Sequence, residues 1–197
     1  MVIEPGTINK AAIKIIENTE CIVEEFQEFH SEASIIASRG ESGSVLTYDS
    51  GTNLHKDGIL IKTTVPTKLP KELEIEMALI AGKILNKLDY IGVMGIEFFV
   101  TNQGLILNEF APRVHNSGHL TINAFNVSQF ENHIRAVCSL KKIPLKKLSN
   151  AKMINLIGSQ IEPYRQNIKL KDNEFFFDYL KKEIKDKRKM GHITVLT

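Results

Sequence analysis

The sequence predicts an α+β fold in which helices pack against a mainly antiparallel sheet. Three short segments rich in β-branched residues, at 32–38, 44–48 and 59–65, follow one another with only glycine-containing breaks between them. Such consecutive strands favour antiparallel pairing, and the amphipathic segment that begins at Pro70 needs a sheet to pack against. A chain of 197 residues can bury a substantial core, in one domain or in one domain with a smaller appendage.

The elements of the N-terminal half are assigned from local patterns. Residues 7–18 form a predicted short helix and residues 21–24 a predicted strand. The segment after Pro70 has apolar side chains at spacings of three and four, which is the periodicity of a helix with one buried face. That predicted face consists of Leu73, Met77, Ile80, Ile84 and Leu88.

Two strands and a helix follow in the middle of the chain. The strands are predicted at 92–100 and 104–110, and the helix at 127–140. Ser128 and Glu131 form a predicted capping box where this helix begins. Its predicted buried stripe consists of Val127, Phe130, Ile134 and Val137.

The C-terminal part begins with a basic connector after Pro144. Three apolar segments follow it, at 151–158, 174–181 and 191–196. Their length and composition predict a small region rich in strands.

Composition and charge exclude several classes of function. The formal net charge is +2, from 25 basic and 23 acidic residues, so no global field points to nucleic acid or to an anionic membrane. Apolar runs are short and no signal sequence is recognisable, so we expect a cytoplasmic protein without membrane contact. The two cysteines, Cys21 and Cys138, lack metal-ligand spacing and are predicted to be reduced, buried thiols.

The densest group of reactive side chains lies at residues 108–121, directly after a predicted strand. It combines a carboxylate, amides, a guanidinium and the imidazoles of His115 and His119. Loops carried by a rigid sheet are common positions for binding and catalysis. We therefore expect the chemistry of the protein at this loop.

The hairpin between the two central strands decides where Glu97 lies relative to Glu109. Residues 102–104 have the form of a three-residue hairpin loop with glycine at its end. Counting back from a pair between Thr101 and Leu105 places the two glutamates directly opposite each other. Neighbouring carboxylates are destabilising unless they share a cation or a proton, and oxygen ligands suit Mg²⁺ or Mn²⁺. The alternative is two exposed glutamates in a hairpin of different register.

Several motifs closely resemble the N5-carboxyaminoimidazole ribonucleotide synthetases, which are ATP-grasp ligases of purine biosynthesis. The most specific are NEFAPRVHNSGH at 108–119 and SQFENHIRA at 128–136. The resemblance extends to Glu24-Glu25-Phe26 with Phe29 and Glu32, to Asn53-Leu54-His55, and to the segments 57–60, 155–158 and 188–194. It implies a partial ATP-grasp domain at 1–142 and a C-terminal domain at 143–197.

The resemblance also implies an ATP side of the site, with ATP and Mg²⁺ or Mn²⁺ as cofactors. Glu32 resembles the acceptor for the ribose hydroxyls, and His55 resembles a further nucleotide contact near the phosphates. Asn108 and Glu109, with Glu97, resemble the ligands of the metal and the triphosphate. The segment 24–27, which consists of Glu24, Glu25, Phe26 and Gln27, resembles the hinge that meets the adenine edge.

On the substrate side, the resemblance implies a pocket for bicarbonate and aminoimidazole ribonucleotide. The implied catalytic residues are Arg113, His115 and Lys182, and the implied substrate-binding residues are Asn116, Ser117 and Arg188. In the implied reaction, ATP phosphorylates bicarbonate, and the substrate amine captures the carboxyl group. His115 would either transfer a proton or only bind anions. Lys182 lies in a dense run of charge at 181–189, for which a solvated surface is the alternative.

Motifs expected upstream of residue 20, including a glycine-rich flap and two lysines, are absent, and the C-terminus ends early for this family. The chain is therefore expected to be roughly the C-terminal two thirds of a synthetase, inactive alone. It would act with a separate N-terminal half, or come from an enzyme that is a homodimer at full length. The alternatives are another ATP-grasp carboxylase or transformylase, and a non-catalytic nucleotide-binding module.

Overall fold

The computed structural model describes residues 9–197 and contains one nine-stranded sheet with five α-helices. The helices are α1 (Lys10–Asn18), α2 (Lys71–Lys87), α3 (Thr121–Ala124), α4 (Gln129–Val137) and α5 (Glu162–Gln166). The strands are β1 (Ser31–Arg39), β2 (Val45–Thr47), β3 (Gly51–Lys56), β4 (Ile59–Val65), β5 (Gly92–Thr101), β6 (Gly104–Ala111), β7 (Ala151–Ile157), β8 (Glu174–Asp178) and β9 (Lys189–Leu196). Two short 3-10 helices, Asn116–Gly118 and Gly158–Ile161, complete the fold.

The sheet is antiparallel throughout, as predicted. Its strand order is β6-β5-β1-β3-β4-β7-β9-β8, and β2 pairs separately with β1. The C-terminal strands join the sheet through the pairing of β4 with β7. The sheet therefore continues across residue 142, and the domain boundary at that position stays a prediction.

One face of the sheet is covered by α2. The helix buries Met77, Ala81 and Leu85 completely against β1 and β5. The predicted face was wrong at Leu88, which is 53% exposed because the helix ends at Lys87 and Leu88 is its C-cap. Ala81 occupies the centre of the contact, where a small side chain lets the helix lie close to the strands.

The opposite face is covered by α3, α4 and the loop after β6. Ser128 caps α4 by accepting a hydrogen bond from the Glu131 N–H at 3.1 Å, as predicted. The second bond of the predicted capping box is not observed, since the Glu131 carboxylate accepts from Arg135, and the helix covers a shorter range than the predicted 127–140. The predicted apolar stripe was correct at Val127, which is buried, and wrong at its other three residues. Phe130, Ile134 and Val137 are exposed, whereas the buried side chains are Gln129, Asn132 and Ala136. Polar groups are buried here because they form hydrogen bonds with the loop and with Tyr48.

Three further predictions differ from the structure. Residues 21–24 form no strand, and β3 was not predicted, because its sequence GTNLHK is largely polar. Cys21 and Cys138 are free thiols, as predicted, but they are exposed. The predicted first helix is observed at Lys10–Asn18, and residues 7 and 8 lie outside the described range.

None of the helices in residues 9–197 has the length and apolar character that crossing a membrane requires.

Candidate functional site

Glu97 on β5 lies directly opposite Glu109 on β6, as predicted. The predicted register of the rest of the hairpin was wrong by one residue, since Thr101 pairs with Gly104 across a two-residue turn. Two hydrogen bonds through the Thr101 hydroxyl, from the Gln103 N–H and to the Gly104 carbonyl, hold this tight turn. A β-bulge before Glu109 absorbs the extra residue and restores the glutamate pair.

His115 completes a cluster with the two glutamates. One ligand atom from each of the three side chains lies within 4.8 Å of the others. The His115 Nε2 atom is 3.6 Å from Glu97 Oε1. This approach depends on Gly95 of β5, because a Cβ atom at that position would be 2.3 Å from the Cβ of His115. The loop can therefore lie directly on the strand that carries Glu97.

The electrostatics of the cluster follow from its burial. Burial raises the pKa of Glu97, and the nearby carboxylate of Glu109 raises it further, while His55 opposes the shift. The pKa of His115 is lowered to about 4, mainly by burial and further by the positive charges of Arg113 and Lys189. His115 is therefore neutral near pH 7, and its contact with Glu97 is not an ion pair.

Glu32 and His55, which were predicted to contact the nucleotide, contact each other. The His55 Nδ1 atom is 2.8 Å from Glu32 Oε2, and both side chains are partly buried. They lie on the neighbouring strands β1 and β3, and the charges of both act on Glu97. The structure thus brings them to the glutamate cluster, while their separate roles toward ribose and phosphate stay predictions.

A cleft of about 730 Å³ lies between α1, the predicted hinge and the β5–β6 hairpin. Its floor includes Phe99, Ile106 and Leu107, and Phe29 stacks on Phe99 with 4.4 Å between ring centroids. Asn108 at its edge precedes Glu109. The cleft is also lined by the predicted hinge residues Glu24, Glu25, Phe26 and Gln27. An apolar lining with a few polar groups suits an aromatic base.

Of the three predicted cations, Arg113 is the one whose charge acts on the cluster. Lys182 is exposed and is not among the charges that act on Glu97 or His115. Arg188 is half-buried and donates to the Glu183 carbonyl at 3.2 Å, and the predicted roles of both residues remain untested. Arg113 is exposed, and its charge acts on His115.

Lys189 is a site residue that sequence reasoning missed. Burial lowers its pKa, and its charge interacts with Glu97, Glu109 and Arg113. The predicted last strand began at residue 191, whereas β9 begins at Lys189. Lys189 lies within β9 and pairs with Ile157 of β7, whereas Arg188 precedes the strand, so the strand limit decides which of the two cations enters the sheet.

The predicted substrate residues Asn116 and Ser117 are tied to the rest of the loop and to β7. The Ser117 hydroxyl is 2.9 Å from His115 Nδ1. Asn116 and Asn155 exchange two amide hydrogen bonds, at 2.5 and 3.1 Å, and Asn155 also donates to the Leu60 carbonyl. The C-terminal strands therefore help to position the loop.

The fold and this site define an ATP-grasp protein. The ATP-grasp domain family matches residues 1–130, and the phosphoribosylaminoimidazole carboxylase C-terminal domain matches residues 151–197. The chain belongs to the ATP-grasp family, and its similarity to the N5-carboxyaminoimidazole ribonucleotide synthetases is confirmed by the relatives that follow.

Among curated relatives, the N5-carboxyaminoimidazole ribonucleotide synthase of Brucella melitensis is 46% identical over 93% of this chain and 51% of its own length. That of Bacillus subtilis is 37% identical over 94% of this chain and 49% of its own length. The chain thus spans about half the length of the curated relatives it matches, a smaller share than its motifs indicated.

Solved structures agree with this assignment. An ADP complex of N5-carboxyaminoimidazole ribonucleotide synthetase superposes with a TM-score of 0.90 at 34% identity, over 95% of this chain and 50% of the other. The Aspergillus clavatus enzyme in complex with ADP and 5-aminoimidazole ribonucleotide has a TM-score of 0.80 at 29% identity, over 86% of this chain and 47% of the other. The predicted ATP-grasp fold is confirmed.

Proposed function

We propose that this chain carries the metal-binding strands and substrate loop of a ligase that carboxylates 5-aminoimidazole ribonucleotide with bicarbonate and ATP, in de novo purine biosynthesis. The observation that carries the proposal is the convergence of Glu97, Glu109 and His115 beside the hinge-lined cleft. The names of the similar synthetases support the choice of substrates. A cytoplasmic location, and either a homodimer or assembly with a separate N-terminal half, belong to the same proposal.

Glu97 and Glu109 fit a divalent metal ion. A buried carboxylate beside a second one is destabilising without a cation, and oxygen donors suit Mg²⁺ or Mn²⁺. When bound, such an ion neutralises charge on phosphoryl oxygens. Glu97 and Glu109 would hold it, with Asn108 contributing to the triphosphate side.

The loop residues supply groups for an anionic acid and its amine acceptor. Arg113 and Lys189 provide positive charge, to which Arg188 and Lys182 would add from the C-terminal segment. His115 is neutral, so one ring nitrogen is free to accept a proton unless the Ser117 hydroxyl occupies it. Asn116 and Ser117 would contact the substrate. His115 acts in this proposal either as a proton acceptor or as an anion contact.

The test is ATP hydrolysis that depends on both bicarbonate and aminoimidazole ribonucleotide. We expect the chain alone to bind Mg²⁺-nucleotide without turnover, and turnover to appear when the N-terminal portion of a similar synthetase is added. Nucleotide binding without turnover in that mixture would indicate a non-catalytic module. Turnover with formate in place of bicarbonate would indicate a transformylase, and an absence of nucleotide binding would refute the proposal.

A further inference from the structure

Gln129 has surroundings unlike those of the other residues on α4. It is the first residue of the helix, and its side chain is completely buried between the helix and the loop after β6. Its Oε1 atom accepts from the His115 N–H at 2.9 Å, and its Nε2 atom donates to the His115 carbonyl at 2.7 Å. One side-chain amide thus binds both main-chain groups of a single residue, as a neighbouring strand would.

These two bonds fix the orientation of the amide. The His115 N–H can only donate and the His115 carbonyl can only accept, so Oε1 and Nε2 of Gln129 cannot be exchanged. The same Nε2 atom is 2.8 Å from Nδ1 of His119. Because an amide nitrogen only donates, Nδ1 of His119 must accept, and its ring proton must be on Nε2.

The surrounding contacts keep Gln129 in this place. Its own N–H donates to the Thr121 hydroxyl at 2.9 Å, and that hydroxyl donates to the Gly118 carbonyl at 2.6 Å. A Cβ atom at residue 118 would be 2.6 Å from Oε1 of Gln129, so the glycine leaves room for the amide. The start of α4 and the loop are therefore joined at several points.

We propose that Gln129 is a positioning residue, whose amide fixes the main chain of His115 beside Glu97 and holds His119 in the tautomer that carries its proton on Nε2. The functional importance of His115 rests on the proposed function. The main-chain clamp and the tautomer of His119 do not depend on it. A carboxamide is suited to this task because it offers an acceptor and two donors in one plane.

Long-range proton–nitrogen NMR correlations of the ¹⁵N-labelled chain measure the tautomer directly. We expect the His119 proton on Nε2 in the unaltered chain and on Nδ1 in Gln129→Glu, because a carboxylate can only accept. In Gln129→Met we expect both tautomers. Exchange of the His115 amide hydrogen should be about tenfold faster in that variant, since one buried hydrogen bond is lost.

Asn132→Leu is the matched control, because Asn132 is also a buried polar residue of α4 but bonds to the Tyr48 hydroxyl instead. This variant should keep the tautomer and the exchange rate of the unaltered chain. An Nδ1 proton on His119 in the unaltered chain would overturn the proposal, and this measurement decides the matter even if the Gln129 variants do not fold. Equal effects in Asn132→Leu and Gln129→Met would also overturn it, in favour of helix packing. Neither readout requires turnover, so failure of the proposed reaction leaves this result unaffected.

Discussion

At the scale of single residues, the carboxylate of Glu97 lies at the centre of the candidate site, in surroundings that disfavour its negative charge. Glu97 is 8% exposed and directly opposite Glu109. Burial and a like charge both disfavour its ionised form, which is why its pKa is raised. A bound cation would reverse this balance, because it favours the ionised form of both carboxylates. In the proposed function, a metal ion held by the two glutamates would supply this cation.

Replacing Glu109 by glutamine should weaken Mg²⁺-nucleotide binding about tenfold or more, because a charged metal ligand is lost. The fold should persist, since Glu109 is exposed. Titration calorimetry with a non-hydrolysable ATP analogue measures the affinity, and Glu76→Gln on the exposed side of α2 is the control. Unchanged affinity in folded Glu109→Gln would contradict the metal assignment.

At the scale of elements, the loop after β6 can contact β5 because Gly95 of that strand has no side chain. His115 lies against Gly95, and the loop then turns through the 3-10 helix Asn116–Gly118 under α4. Ala124 of the short helix α3 and Leu120, its N-cap, belong to one buried cluster with Ile36 and Val93. Both ends of the loop are thus anchored, and His115 is placed by packing as well as by hydrogen bonds.

Gly95→Ala should destabilise the protein by about 1–3 kcal/mol and displace His115, because the new methyl group overlaps its Cβ atom. Chemical denaturation measures the free energy of unfolding, and the His115 ring resonances report the displacement. The matched control is Gly82→Ala in α2, where a Cβ atom meets nothing within 4 Å.

That control should instead be stabilised by about 0.5–1 kcal/mol, because alanine is the better helix former. Equal stability of Gly95→Ala and the unaltered chain, with unshifted His115 resonances, would show that the close approach is not required.

At the scale of the whole molecule, the C-terminal strands complete the site. The single sheet brings Lys189 of β9 to the glutamates and Asn155 of β7 to Asn116. Two histidines with little exposure lie where the two regions meet: His192 is buried and His119 is partly buried, and their ring centroids are 5.4 Å apart. Stability of the molecule as a whole should therefore respond to acid.

Burial lowers the pKa of His192 from 6.5 to about 4, and the pKa values of His115 and His119 are lowered to about 4 and about 3. Between about pH 6.5 and 4, the unfolded chain then binds more protons than the folded one, so stability is complete above this window and falls as the pH is lowered through it.

As the pH falls through this window, His192→Gln should lose roughly 1–3 kcal/mol less free energy of unfolding than the unaltered chain. Denaturant unfolding at several pH values across the window measures the difference. His30→Gln, at an exposed position, should keep the slope of the unaltered chain. The same slope in His192→Gln and the unaltered chain would contradict the assignment of His192 as a neutral buried group.

The fold class, most strands and the residue types of the site could be predicted from the sequence. Alternating β-branched segments, the start of α4 at Ser128 and the dense loop at 108–121 are local patterns, and local patterns can be read without tertiary contacts. The pairing of Glu97 with Glu109 was also predicted, although by a register that the bulge corrects.

Contacts between distant elements fix which side of α4 is buried and which cation lies near the glutamates. Gln129 and Asn132 are inside because the loop and Tyr48 offer hydrogen-bond partners that are distant in sequence, so hydrophobic periodicity failed there. Lys189 lies near the cluster because strand pairing with β7 fixes where β9 begins. In both cases the deciding partners come from other elements, and a local pattern contains no information about them.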